Sequence, residues 1–193
     1  SAGCIEIPNP YFPDKPSRFL DWKPHGWVDL HSALARSSNI YFYALGGGLA
    51  DVKGLGITKL KTYWEKFGLG KPTGVDLNNE KSGFLPDPEI KQANTGDIWR
   101  IGDTYNVSIG QGDLLVTPLQ LINFIASIAN GGRLYQPHLL KDDSQSPVVA
   151  VDYSDWTAEL PEVQQGLADV VNQPYGSAYS LHDLPIKAAG KTG

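Results

Sequence analysis

The chain has 193 residues, 41% of them hydrophobic, which suits one globular domain with a substantial core. That composition excludes a disordered or low-complexity polypeptide. The formal net charge of −5 is mild and spread without a basic stripe, which argues against nucleic acid as a partner.

Residues 1–26 carry Pro8, Pro10, Pro13, Pro16 and Pro24 and read as an extended, turn-laden segment. Asp29 is placed to cap a helix through Leu30, Ala33 and Leu34, which the short polar run Ser37-Ser38-Asn39 should end. The apolar stretch Ile40–Leu45 before Gly46-Gly47-Gly48 favours a buried helix. Ile57, Leu60, Trp64 and Phe67 recur at helical spacing, with Gly68 as the stop. Residues 70–112 show Gly, Pro, Asn and Asp clusters and no sustained period, so loops are expected there. Thr117-Pro118 is a capping residue followed by proline at the first helical position, opening a helix with Leu121, Ile122, Ile125 and Ala129 on its apolar face. Residues 132–140 suggest a short strand, 141–154 a polar connector, and 157–172 an amphipathic helix presenting Val163, Leu167, Val170 and Val171. Lys187–Gly193 reads as a strand cut short. Helices grouped between sparse strands predict a mixed α/β (α+β) fold, a helical subdomain against part of a sheet.

No apolar run reaches membrane-spanning length, and Ser1 does not open a signal-peptide pattern; any anchor or export signal is expected upstream. The single cysteine, Cys4, excludes an internal disulfide and a cysteine cage for metal.

Three local patterns bear on chemistry. Ser37-Ser38-Asn39 fits S-x-N, Lys191-Thr192-Gly193 fits K-T-G, and Ile109-Gly110-Gln111-Gly112-Asp113 lies between them. Alone, the first is an ordinary helix-cap signature and the second is unremarkable. In this order they are two of the three motifs of β-lactamases and penicillin-binding proteins, S-x-x-K, S-D-N and K-T-G. Longer segments decide the matter: Ser38–Tyr43, Phe67–Leu77, Glu80–Pro86 and Gly110–Gln120. With them the chain strongly resembles the transpeptidase domain of class B penicillin-binding proteins. Asp21-Trp22-Lys23 and His25-Gly26 look most like the cell-elongation branch, penicillin-binding protein 2. The resemblance covers nearly the whole chain and implies the β-lactamase/transpeptidase-like fold. No Ser in the sequence has Lys three positions later, so S-x-x-K is missing. By resemblance it lies upstream of Ser1, and the last strands of the domain lie beyond Gly193. Residues 1–193 are thus expected to be a partial transpeptidase domain, truncated at both ends.

The resemblance implies a serine-type peptidoglycan D,D-transpeptidase, which transfers the acyl group of a D-Ala-D-Ala stem peptide and binds penicillin. Ser37 is expected to relay a proton between the missing base lysine and the leaving nitrogen. Lys191 is expected to supply positive charge. Asn39 should hydrogen-bond the substrate amide, Thr192 the substrate carboxylate, and Gly193 should let the strand backbone approach the ligand closely. Without the nucleophile, the chain alone is expected neither to turn over substrate nor to be acylated, and to be marginally stable or to aggregate.

Asp21, His25 and Cys4 could be read as metal ligands, since some elongation-type relatives carry a metal near this region. Their spacing defines no known site, and Ser38 stands where a cysteine-bearing S-x-N variant has Cys; no metal and no cofactor are expected. Gly46-Gly47-Gly48 lacks the Lys-Ser/Thr of a phosphate loop and is read as a helix stop. Gly110-Gln111-Gly112 is read as structural, shaping the cleft wall by turning the backbone where a Cβ would clash. Ser177 stands where many relatives have Thr in a G-T-A segment and is read as a tolerated hydroxyl swap. Expected partners are stem peptides, β-lactams and a glycosyltransferase of the elongation machinery, with membrane contact only through a missing N-terminal anchor. The expected location is the extracytoplasmic face of a bacterial cell membrane. The alternatives are a β-lactam-sensing receptor ectodomain, a serine D,D-carboxypeptidase or β-lactamase, and a non-catalytic interaction module. The 154 positions from Ser37 to Lys191 exceed what sensors and class D lactamases tend to have. A class A lactamase would also need a deacylating Glu region, which is not found.

Overall fold

A computed structural model describes residues 3–141, 144 and 146–193, and Ser1, at which the signal-peptide expectation was directed, lies outside them. The Pro-rich start is more ordered than its composition suggests. Strands β1 (Cys4–Ile7) and β2 (Ser17–Leu20) pair antiparallel, with Cys4 opposite Leu20 and Ile7 opposite Ser17. All five prolines fall outside the two strands, where no ladder donor is lost.

Helix α1 (Leu30–Arg36) is capped as its sequence predicts: Asp29 accepts from the Ser32 amide, and the Ser32 hydroxyl accepts from the Asp29 amide. It ends at Ser37, which adopts the left-handed conformation at φ 54°. Helix α2 (Asn39–Gly47) follows, buried on Ile40, Tyr43 and Gly46, and α3 (Gly56–Lys66) comes next. The region 70–112, expected to be loop, contains two further helices, α4 (Pro88–Thr95) and α5 (Ile101–Ser108). Both are only eight residues long, too short to display a period. The signals were local: Asp87 caps the Ile90 amide ahead of Pro88, and Asp103 accepts from the Arg100 amide while pairing with Lys91 at 2.7 Å. Lys91 thereby joins α4 to α5.

Helix α6 (Pro118–Ala129) begins at its Thr117 capping box, but the face assignment is reversed. Gln120, Ser127 and Ile128 are buried, whereas Leu121, Ile122 and Ile125 are 50%, 65% and 37% exposed. Hydrogen bonding overrides hydrophobicity here. The Gln120 amide donates to the carbonyls of Lys71 (2.7 Å) and Ser82 (2.8 Å) and accepts from the Thr117 amide, so this polar side chain holds the 71–82 loop on the helix.

Strand β3 (Arg133–Tyr135) pairs antiparallel with β4 (Val149–Asp152), which corrects the expectation of a polar connector over 141–154; Asp142, Asp143 and Gln145 lie outside the described residues. Helix α7 (Glu159–Asn172) packs on α1 and buries Leu160, Val170 and Val171. Lys187–Gly193 is not a strand: among the described residues no segment pairs with it in the ladder that defines one. The segment is attached to α7 instead, through the Gly190 amide to the Leu167 carbonyl and the Asn172 side chain to the Ala188 carbonyl. Among the described residues the partial sheet consists of two antiparallel pairs, set beside seven α-helices.

Two apolar clusters hold these parts. Ile5, Ile40, Tyr43 and Tyr105 join the β1–β2 pair to α2 and α5, with Phe19 edge-on to Tyr105 at 4.9 Å. Phe67, Phe124, Tyr153 and Trp156 join α3, α6 and the start of α7. The Gly46-Gly47 pair explains how closely α2 and α5 approach. A Cβ on Gly46 would fall 1.8 Å from the Ser108 hydroxyl, and one on Gly47 2.4 Å from the Tyr105 ring.

Candidate active site

The α1–α2 junction presents three polar residues with three different fates. Ser38 is fully buried, and its hydroxyl donates to the Asp21 carboxylate at 2.8 Å. Asn39 is half-buried, its side-chain amide donating to the Leu20 carbonyl at 3.2 Å. Ser37 is turned the other way by its left-handed backbone, and its hydroxyl accepts from the Lys191 ammonium at 2.6 Å.

That last contact joins residues 154 positions apart. Lys191 also donates to its neighbour's carbonyl, that of Thr192, at 2.7 Å. Lys191 is exposed as a residue, yet crowding around its ammonium strips away water that stabilises the charge and lowers its pKa from the ordinary lysine value. Thr192 is not alone either. Its hydroxyl hydrogen-bonds that of Ser177 at 2.7 Å, and Ser177 is fixed by its own amide on the Ala35 carbonyl of α1. The Ser177 hydroxyl therefore touches the site, through a partner 15 positions away that no local pattern marks. Gly193 is exposed, with open space around the position of a Cβ.

Of the five predicted residues, Ser37, Lys191 and Thr192 are directly linked, while the Asn39 side chain engages the Leu20 carbonyl. Asp21 was missed as a support of the α1–α2 junction. Besides Ser38, it accepts from the backbone amides of Asn39 (3.1 Å) and Ile40 (3.3 Å). No local signal could reveal a partner 17 positions from Ser38.

The metal reading of Asp21, His25 and Cys4 does not match the donor set. Among the described residues no three His, Cys, Asp or Glu gather as a metal requires. Both Asp21 oxygens are occupied by hydrogen-bond donors, and the Cys4 thiol faces the Ile5 carbonyl. His25 is buried, 3.5 Å from Asp21, with neither ring nitrogen hydrogen-bonded; burial lowers its pKa against the opposing pull of Asp21.

Gly110-Gln111-Gly112 turns the backbone after α5, with both glycines at positive φ (76° and 73°). The reason differs from the expected clash. Nothing lies near a Cβ at Gly110, so the backbone conformation itself selects glycine.

A family model described as the penicillin binding protein transpeptidase domain matches residues 7–193. The chain is 33% identical over 193 residues to the peptidoglycan D,D-transpeptidase MrdA of Salmonella typhimurium, covering 94% of the chain and 30% of that protein. It is 30% identical to penicillin-binding protein 2A of Bacillus subtilis, covering 100% and 29%. Among solved structures, PBP2 of Helicobacter pylori in complex with MreC matches at TM-score 0.83 and 34% identity, over 99% of the chain and 34% of that protein. PBP2 of Pseudomonas aeruginosa matches at TM-score 0.80 and 30% identity, over 100% and 43%. The chain spans about a third of the length of the curated relatives it matches.

Proposed function

The chain belongs to the penicillin-binding protein transpeptidase family, and from that membership we propose that it is the substrate-holding part of a peptidoglycan D,D-transpeptidase. The observation that carries this reading is the 2.6 Å contact from Lys191 Nζ to Ser37 Oγ. A hydroxyl that accepts from an ammonium keeps its own proton free to donate elsewhere. Ser37 can thereby receive a proton on one side and release one on the other, as a relay to the leaving nitrogen of a D-Ala-D-Ala stem must. Lys191 holds the hydroxyl in place and offers positive charge to the developing anion and to the substrate carboxylate. In the Thr192–Ser177 pair one hydroxyl donates to the other, which leaves one proton available for that carboxylate. Asn39, on the same junction, is assigned the substrate amide.

The nucleophilic serine is assigned to an S-x-x-K motif outside these residues, since no Ser here has Lys three positions on. In this reading residues 1–193 form part of one transpeptidase domain. The family membership and the D,D-transpeptidase relatives favour this assignment over a sensor ectodomain or a lactamase. We assign the whole protein to the extracytoplasmic face of a bacterial cell membrane, with a glycosyltransferase of the elongation machinery as partner. The MreC complex is a property of the Helicobacter protein and supports a protein partner for this one. Among the described residues no helix is long and apolar enough to cross a membrane.

The test is acylation of the full-length protein by a fluorescent penicillin, followed by release of D-Ala from a stem-peptide substrate. Labelling without peptide turnover would select the sensor. Rapid turnover of penicillin itself would select the lactamase. Cell fractionation of the tagged full-length protein tests the location; recovery in the soluble cytoplasm would overturn it.

A further inference from the structure

We propose that the Asp21-Trp22 dipeptide is the positioning device for the Ser37–Asn39 edge, setting the geometry of both residues while touching no substrate. This rests on the transpeptidase reading above. Ser38 is the N-cap residue of α2, yet its side chain makes no cap hydrogen bond. The cap comes from elsewhere in the chain: the Asp21 carboxylate accepts the leading amides of Asn39 and Ile40, and the Ser38 hydroxyl is turned back onto it. Its negative charge stands at the helix N-terminus, where the helix dipole favours it. Its side chain is fully shielded from solvent, so no water can take over these bonds.

Trp22 acts on the other side of the same turn. Its indole N–H is shared between the carbonyls of Arg36 (3.1 Å) and Ser37 (3.2 Å), the last groups of α1. No helical amide follows these carbonyls, and the half-exposed indole fills a place that water would otherwise take. Two adjacent side chains thus grip the end of α1 and the start of α2. Between the grips lies Ser37, whose left-handed backbone is unfavourable for a residue with a side chain and persists only where its surroundings impose it. The dipeptide is itself located by the β1–β2 pair, through the Asp21 amide on the Gly3 carbonyl, and the Leu20 carbonyl just before it receives the Asn39 side chain. Ser37 and Asn39 are therefore set by the end of a hairpin rather than by the helices that carry them.

The experiment uses the full-length protein and a fluorescent penicillin. It measures the fraction of molecules that can be acylated, the acylation rate constant at saturation, and the dissociation constant of the initial complex. Trp22→Phe keeps the ring and removes the N–H; Asp21→Asn puts an amide where donors converge. With one hydrogen bond lost, the saturating rate constant should fall about tenfold in Trp22→Phe; with the charged acceptor lost, about a hundredfold in Asp21→Asn. The acylatable fraction should stay near complete and initial binding should change less than the rate constant. A purely structural role would lower the acylatable fraction or the thermal midpoint and leave the rate constant of the surviving molecules unchanged, and that result would overturn the proposal. Should Asp21→Asn fail to fold, Trp22→Phe alone decides by the same criterion. Absence of labelling in the wild type would instead strike the transpeptidase reading.

Discussion

The two halves of the site are built in opposite ways. The Ser37–Asn39 edge lies at a junction of two helices, with Ser38 buried and a carboxylate and an indole from another part of the chain closing it on both sides. The Lys191–Gly193 edge is an irregular segment, suspended from α7 by the Gly190 amide and the Asn172 side chain and braced by Ser177. One half is pre-organised by the shielded bonds of Asp21, with the exposed Trp22 indole beside them; the other gains its position from a few exposed bonds. The lesson is that the contact between Ser37 and Lys191 is only as well placed as its looser member.

Removing the cation tests that comparison most severely. Lys191→Ala in the full-length protein should lower acylation on the order of 10³-fold with little change in thermal midpoint, measured as penicillin labelling beside a melting curve. An equal loss of stability would show that the K-T-G edge is structurally anchored after all. Outside both halves, as a measure of what a buried polar contact is worth in this fold, Gln120→Leu strands the Lys71 and Ser82 carbonyls and should cost about 3 kcal/mol by denaturant titration. The buried half should respond in the reverse sense to Lys191→Ala. Ser38→Ala removes a charge-assisted bond from a shielded carboxylate and should cost about 2 kcal/mol.

Acidity separates the halves again. Lys191 has its pKa lowered from 10.5 by the crowding around its ammonium. The alkaline fall of acylation should therefore begin below the ordinary lysine range, and a rate-versus-pH profile locates it. His25, behind the buried edge, has its pKa lowered from 6.5, so the unfolded chain binds the proton more readily than the folded one. Stability should rise with pH between the lowered value and about 6.5, and decline on acidification through that window. Melting curves of wild type and His25→Gln across that range provide the check. The smallest effect expected is that of Ser177→Ala. Loss of one exposed brace should reduce acylation about threefold, and Ser177→Thr should restore it.

Much of the fold was legible in the residues. Asp29 and Thr117-Pro118 announced their helices because capping is written within four positions. Helices α4 and α5 escaped because eight residues are too few to show a period, although Asp87-Pro88 carried the same signature as Thr117-Pro118. The α6 face was misjudged for a different reason: counting apolar side chains cannot reveal that Gln120 will find two carbonyls from a distant loop. The motif residues Ser37, Asn39, Lys191 and Thr192 were legible only through a family resemblance.

What the sequence determined by itself is the chemistry on offer: a serine and an asparagine at a helix break, a lysine and a threonine far along the chain, and the family that combines them. Capping and periodicity are short-range and survive in a linear reading. Only the tertiary structure decided which groups meet. Lys191 reaches Ser37 across 154 positions, Asp21 supplies the cap that Ser38 does not make, and Ser177 engages Thr192. These partners are fixed by packing and by the need to satisfy polar groups, and no local pattern encodes them.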